Sequence, residues 1–295
     1  MKTVFKWFLN IVFFAAASCM LLGSKLQCVV FVPFLAAAII VAAKKSGFWK
    51  TGILCTVLVL WYGVGGYIIN GGQLNMDTQY NSVFYGILKD SENPAADLAA
   101  LGIDTDMAED AGKHAYLDNA EYKYPPRTEV TQEKFHSKMS NGKLIKFYIT
   151  HPMRLIGAMQ TTSESAFYNR IDLGTFEKKY GFEEGASGYR FDLWENMRAS
   201  LRGSLVFVIA VWCVFLTMGA VMIKKKNPLG WAFIAVLLMG ALQYPMPYMG
   251  NGEADISKQL FLFNIVFDTG IMVFAYILLA EIDEKLGRRV AAKNV

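Results

Sequence analysis

Several polar residues stand where chemistry is either unexpected or useful. Asp268 lies inside a long apolar run, about ten residues beyond Lys258, and Asn264 precedes it by one helical turn. A spacing of four puts both side chains on one helix face. A carboxylate at that depth in a bilayer is costly by a few kcal/mol, so such residues face a protein interior or a wet cavity. Two readings stay open. Asp268 and Asn264 are a polar anchor beside a substrate or lipid-carrier cavity, or Asp268 is a protonated or paired acid that joins helices. Just ahead of the same run, Pro245 to Asp255 carries two prolines and two glycines and reads as an irregular turn. It ends in Glu253 and Asp255. Two carboxylates at this spacing can meet a charged substrate or share a divalent cation. Equally, they can be N-terminal charges that a helix dipole favours.

His151-Pro152-Met153-Arg154 is the third group. A histidine before a helix start can exchange protons, or bind phosphate together with the arginine. The alternative is an ordinary cap. Arg198 is a candidate phosphate clamp, as are Arg170 and Arg190, with ion pairs to the abundant acids as the other explanation. His114 and His136 have no partners at metal-ligand spacing, and no Walker loop, zinc motif or Gly-x-Ser-x-Gly elbow occurs. No residue is assigned to a metal, and a divalent cation at Glu253 and Asp255 is the one candidate cofactor.

The elements that must hold these residues are apolar. The hydrophobic fraction is 54%, and mean hydropathy is +0.29. Six runs are long enough, or nearly so, to cross a hydrocarbon core: 5–22, 28–43, 52–69, 205–223, 229–244 and 260–280. The expected fold is therefore all-α, a polytopic membrane protein with six transmembrane helices. Residues 1–70 hold three spans, 71–202 a mostly helical extracytoplasmic domain, and 203–295 three more spans with a short tail. Lys2, Lys6, the lysines at 44, 45 and 50, Lys224 to Lys226, and Lys285, Arg288 and Arg289 all fall on one side of this arrangement. The positive-inside rule places both termini in the cytoplasm and the domain outside. Lys2, the apolar core and Ala15-Ala16-Ala17-Ser18 also fit a cleaved signal peptide. Cys19, Cys28, Cys55 and Cys213 all sit in apolar runs. That excludes a disulfide framework in the polar domain and suits small fillers between helices. The net charge of +4 forms no basic stripe, which argues against nucleic acid.

Inside the polar domain, Tyr80 to Leu88 has near-helical apolar spacing. Asn93-Pro94 is a capped helix start, and Gly102 ends the helix over 95–101. A further helix is expected over 105–112, and Pro125-Pro126 imposes an extended stretch. From Asp77 to Glu121 there are ten acids and two bases, whereas the chain turns basic after Gln132. The pieces 143–149 and 153–159 are amphipathic, suited to lying in the membrane interface or to packing in the domain's own core. Phe167 to Tyr189 reads as a loop with short turns, and 190–200 as a helix returning to the membrane.

Three blocks in this chain resemble bacterial glycan-biosynthesis hexose transferases, polytopic enzymes of the GT-C kind. They are Tyr80-Asn81-Ser82-Val83-Phe84-Tyr85-Gly86-Ile87-Leu88-Lys89-Asp90-Ser91 with Pro94 and Asp97, then Phe147-Tyr148-Ile149-Thr150-His151-Pro152-Met153-Arg154-Leu155, then Gly252-Glu253-Ala254-Asp255-Ile256-Ser257-Lys258 leading to Asn264 and Asp268. The resemblance spans roughly residues 70–280. It implies transfer of a hexose from a polyprenyl-phosphate sugar to a surface glycan on the outer face of a bacterial membrane. Asp255, Glu253 and His151 would then be catalytic, and Arg154, Arg198, Asn264 and Asp268 would bind substrate. The family pattern also has an early outer loop with an Asp-Asn-Gly-Asp motif. Here the first outer loop is Gly23 to Gln27, without an acid, so this chain corresponds to a later half. The implied partners are the bilayer, the lipid-linked sugar and a catalytic partner subunit. The rival class is a non-catalytic membrane partner that holds an enzyme or glycan through the outer domain.

Overall fold

The computed structural model describes residues 2–70, 72–168, 178–183, 192–227 and 229–293. It is all-helical, with no strand among the described residues. Among the described residues six helices are long and apolar enough to cross a membrane: Lys6–Ser24, Cys28–Ser46, Trp49–Asn70, Leu205–Lys224, Leu229–Asn251 and Phe261–Asp283. The protein is a multi-pass membrane protein, and the chain forms two compact units, residues 1–78 and 79–295.

The first unit contains helices α1 (Lys2–Ser24), α2 (Val32–Ser46) and α3 (Trp49–Leu60). α3 runs on through a wider turn, Trp61–Gly65, into Gly66–Asn70. Small residues bring these helices close. A side chain at Gly63 would meet Leu22 and Val32, and one at Gly52 would meet Ala43. In lipid there is no hydrophobic drive between helices, so close packing of this kind supplies the attraction. Cys28 and Cys55 are buried fillers, as their setting suggests, but Cys213 lies on an exposed helix face.

In the second unit the polar segment has its own core. Helix α4 (Gly72–Ser82) widens into the turn Val83–Ile87. Its Tyr80 ring stacks on Phe84 at 4.2 Å, and both pack against Phe135. Asn93 caps α5 (Pro94–Leu101) by accepting from the Ala96 N–H, and Gly102 ends it in the left-handed region. The helix expected over 105–112 is the tighter 3-10 segment Thr105–Asp110. Asp110 explains the difference. It is buried and accepts from the Lys123 and Tyr124 N–H groups and from Lys113 Nζ, so its side chain anchors the returning chain. Lys138 and Lys134 hold the exposed Asp104 carboxyl below its usual range, and Lys134 with Tyr124 does the same at Asp106.

α6 (Asn141–Thr150) and α7 (Pro152–Ser165) meet at His151, and α8 (Leu193–Ala199) leads back toward the spans. Arg170, Arg190 and most of the stretch 167–189 lie outside the described residues. α9 (Leu205–Lys224), α10 (Leu229–Gln243) and α12 (Phe261–Lys293) pack together. Trp212 stacks on Phe263 at 4.7 Å, and Phe215 lies over Gly270. The stretch after α10 is not an irregular turn throughout. Met246–Asn251 is a short helix, α11, because Pro245 and Pro247 fall at its first positions, where a missing N–H costs nothing.

A β-carbon at Gly270 would come within 2.6 Å of the Phe215 ring. Gly270→Val is therefore expected to destabilise the unit by about 1–3 kcal/mol through overpacking. Gly250→Ala, with open space around it, serves as the neutral control. Thermal unfolding of the two purified variants in detergent checks this.

Candidate functional site

The three sequence blocks meet. Asn81 is fully buried, and its amide donates to Asn251 Oδ1 at 2.9 Å while its oxygen accepts from the Ala115 N–H at 2.6 Å. Asn251 in turn donates to the Ala254 carbonyl, which fixes the chain ahead of the carboxylates. Gly252 follows with φ +57°, and a β-carbon there would lie 2.7 Å from the Tyr85 carbonyl oxygen. Only glycine allows this approach without strain. It lets the Glu253 N–H donate to the Tyr85 carbonyl at 3.1 Å. The Glu253 side chain then pairs with Lys89, whose ammonium also sits 4.9 Å from the centre of the Tyr85 ring. Burial works against the Lys89 charge, but Glu253 outweighs it and holds the amine above its usual range.

Arg154 closes the other side. It donates to the Asp90 and Ile87 carbonyls, each at 3.1 Å, and pairs with Asp97. Asp97 also accepts from Ser91 Oγ at 2.6 Å. The Tyr148 hydroxyl is buried beside Tyr248 and Arg154 and has no hydrogen-bond partner among the described residues, and burial pushes it well above the usual phenol range. His151 stacks on Phe147 at 4.4 Å, with Nδ1 2.9 Å from the Phe147 carbonyl. It closes the end of α6 and makes no side-chain cap to α7. Asp255 is exposed, in the left-handed region at φ +57°, and caps nothing with its side chain. Among the described residues its carboxylate has no partner.

A second cluster lies deeper along α12. Asn264 is fully buried and accepts from the Phe167 N–H at 2.9 Å. The Phe167 carbonyl accepts from Arg198 Nε at 3.0 Å. Arg198 Nη1 pairs with Asp268 at 2.7 Å, and the other Asp268 oxygen accepts from Trp194 Nε1 at 3.1 Å. The Arg198 side chain is 7% exposed and that of Asp268 24%. Adjacent to it, a groove of ≈ 270 Å³ runs between α9 and α12, lined by apolar side chains including Phe207, Val211, Ile271 and Phe274.

Comparison with known families shows a match over residues 2–294 to the YfdI N-terminal transmembrane domain. The chain belongs to this family. No curated protein and no solved structure matches it. The YfdI-type match takes in the first three spans, which lie outside the sequence resemblance at 70–280, and it is described as an N-terminal domain.

Seen on this YfdI-type domain, the sequence candidates sort into two places. Glu253 and Arg154, with Asp255 and His151 next to them in the chain, belong to the surface patch. Asn264, Arg198 and Asp268 form the deeper cluster. Lys89, Asp97 and Trp194 were not singled out, though each supplies the counter-charge or hydrogen bond that a candidate needs. Lys89 had one signal, its spacing of four from Tyr85 on a helix. Asp97 stands in the first resemblance block, but its pairing with Arg154, 57 residues away, had no signal, and Trp194, 74 residues from Asp268, had none at all. No group of three or more His, Cys, Asp or Glu among the described residues is placed to hold a metal ion.

Removing one partner of the deep pair leaves a buried charge. Arg198→Met or Asp268→Leu alone is expected to cost about 3–5 kcal/mol, and the double substitution clearly less than the sum. Thermal unfolding of all three variants in detergent forms the cycle, and strict additivity would show that the two charges do not interact.

Proposed function

We propose that the chain is a membrane glycosyltransferase-like protein, or a subunit of one. On this reading it transfers a hexose from a polyprenyl-phosphate sugar during cell-surface glycan assembly in a bacterial membrane. The convergence of the three blocks on one patch carries the reading. Segments some 170 residues apart meet through Asn81 and Asn251, and their polar groups face one another.

The roles follow from which groups are free. Of the candidate acids, Asp255 is one without a partner among the described residues, so it is assigned as the base that takes a proton from the acceptor hydroxyl. Lys89 is the cation for the phosphate leaving group. Its pair with Glu253 is part-exposed, at 33% and 21%, and open ion pairs of this kind are worth no more than about 1 kcal/mol. A phosphate can displace Glu253 at small cost. Arg154 is tied to two carbonyls and to Asp97, and is assigned to positioning the patch, with His151 as a further proton carrier. Asn264, Arg198 and Asp268 hold the polypeptide that flanks the donor, and the groove between α9 and α12 suits an apolar chain.

The second reading, a non-catalytic partner that holds an enzyme or glycan through its polar domain, is favoured by one observation. Most of the polar candidates are satisfied by partners within the chain, which is what a purely structural network requires.

Purified protein in vesicles with a polyprenyl-phosphohexose and an acceptor glycan separates the two. Turnover that Asp255→Asn lowers by about 100-fold or more, the scale of a lost general base, with unchanged thermal stability, supports the enzyme. Binding that survives every carboxylate substitution, without turnover, supports the partner. The orientation has its own check: Lys123→Cys on intact cells should react with an impermeant maleimide, and protection would place the domain inside.

A further inference from the structure

Two of the helices between the third and fourth spans carry apolar side chains on their outer faces. On α8, Leu193 is 75% exposed and Met197 54%, one turn apart, with Trp194 beside them. On α7, Met153 is 74% exposed, and Ile156 follows one turn on. Among the described residues these faces have no protein partner. Facing water they would be costly, since each large apolar side chain left exposed forgoes about 1.5–3 kcal/mol.

Their attachment fixes the level at which they lie. Both Trp194 and Arg198 of α8 bond to Asp268. That residue is seven positions into α12, about 10 Å along the helix from Phe261. The span itself is Phe261–Asp283. A short helix bonded there lies close to the membrane boundary. α7 is tied to the tops of the neighbouring spans. The Met159 carbonyl accepts from Tyr244 Oη at 3.0 Å, and the Ser163 carbonyl accepts from the Gly203 N–H at 2.9 Å. Gln160 bonds both the Gly203 carbonyl and the Leu205 N–H, the first residue of α9.

We propose that α7 and α8 form a collar bedded in the membrane interface, with the lipid bilayer as the occupant of their outer faces. Helices of this type bury their apolar side about 5–10 Å into the boundary between headgroups and acyl chains. The surface is continuous with the lipid-facing surface of α9 and α12. Arg202, exposed three residues beyond α8, adds a cation that anionic headgroups attract. Trp194 combines an apolar ring with a donor that is already engaged, the combination that suits this zone. The collar holds the Arg154 and Glu253 patch at headgroup level, since Arg154 is on α7 itself. This inference stands whether or not the chain transfers sugar.

The test uses the full chain with its four cysteines replaced by alanine, in phosphatidylcholine vesicles. A fluorophore is attached at Met197→Cys, at Met153→Cys, or at Lys123→Cys as the control. Brominated phosphatidylcholine should remove about half of the emission at the first two positions, and little at the third. A probe at either helix behaving like the control would overturn the collar. The unmodified chain gives a second readout. A lipid-dissolved diazirine should label peptides 193–199 and 152–160 as it labels the spans. Labelling confined to the spans would equally overturn the proposal, whatever the variants do.

Discussion

A polar group inside a bilayer has to find its partner within the protein, because the solvent offers none. That constraint organises the second unit. Asn264 and Asp268 occupy one face of α12, and both are satisfied by segments that come from between the spans. Asn264 takes the Phe167 N–H, and Asp268 takes Arg198 and Trp194. The Phe167 carbonyl joins the two by accepting from Arg198 Nε. Five residues therefore close a circuit in which each charge and each backbone group has a use. The circuit clamps the polar segment onto the last span, and α8 takes its position from it.

A different kind of constraint shapes the surface patch, one of space rather than charge. Gly252 must be glycine because its backbone lies against Tyr85 in a left-handed conformation. The close approach brings Glu253 to Lys89 and aligns the Asn81–Asn251 bond. The patch and the clamp are linked along the chain, since α11 and the turn 252–260 feed directly into α12. Sequence distance is thus a poor guide to what acts together here, and spacing within each helix is a good one.

That contrast explains what could be read from residues alone. The six spans were legible because hydropathy summed over about 20 residues is a property of each segment by itself. The Asn93 cap and the Gly102 stop were legible for the same reason. The shared face of Asn264 and Asp268 follows from helical period. The 3-10 form of 105–110 did not follow, since a buried Asp110 bonded to residues 123 and 124 overrides local preference. Nor did α11, where two prolines read as breakers but sit at positions that start a helix. The Asp268 partner was out of reach: Arg198 is 70 residues away, and any of several arginines had equal claim.

The two ion pairs differ in what they can give up. Arg198 and Asp268 are largely enclosed, with further bonds on both partners, so separating them would strand a charge at a cost of several kcal/mol. No anionic ligand recovers that by replacing one carboxylate with another. Lys89 is more open than Arg198, at 33% against 7%, while Glu253 and Asp268 are alike at 21% and 24%, so water reaches the released lysine and exchange there costs little. Chemistry that needs a cation for a phosphate must use the loose pair, and the architecture that presents it must use the tight one. The same reasoning sets Asp255 apart from the other acids, because a base is useful in proportion to how little already claims its lone pairs.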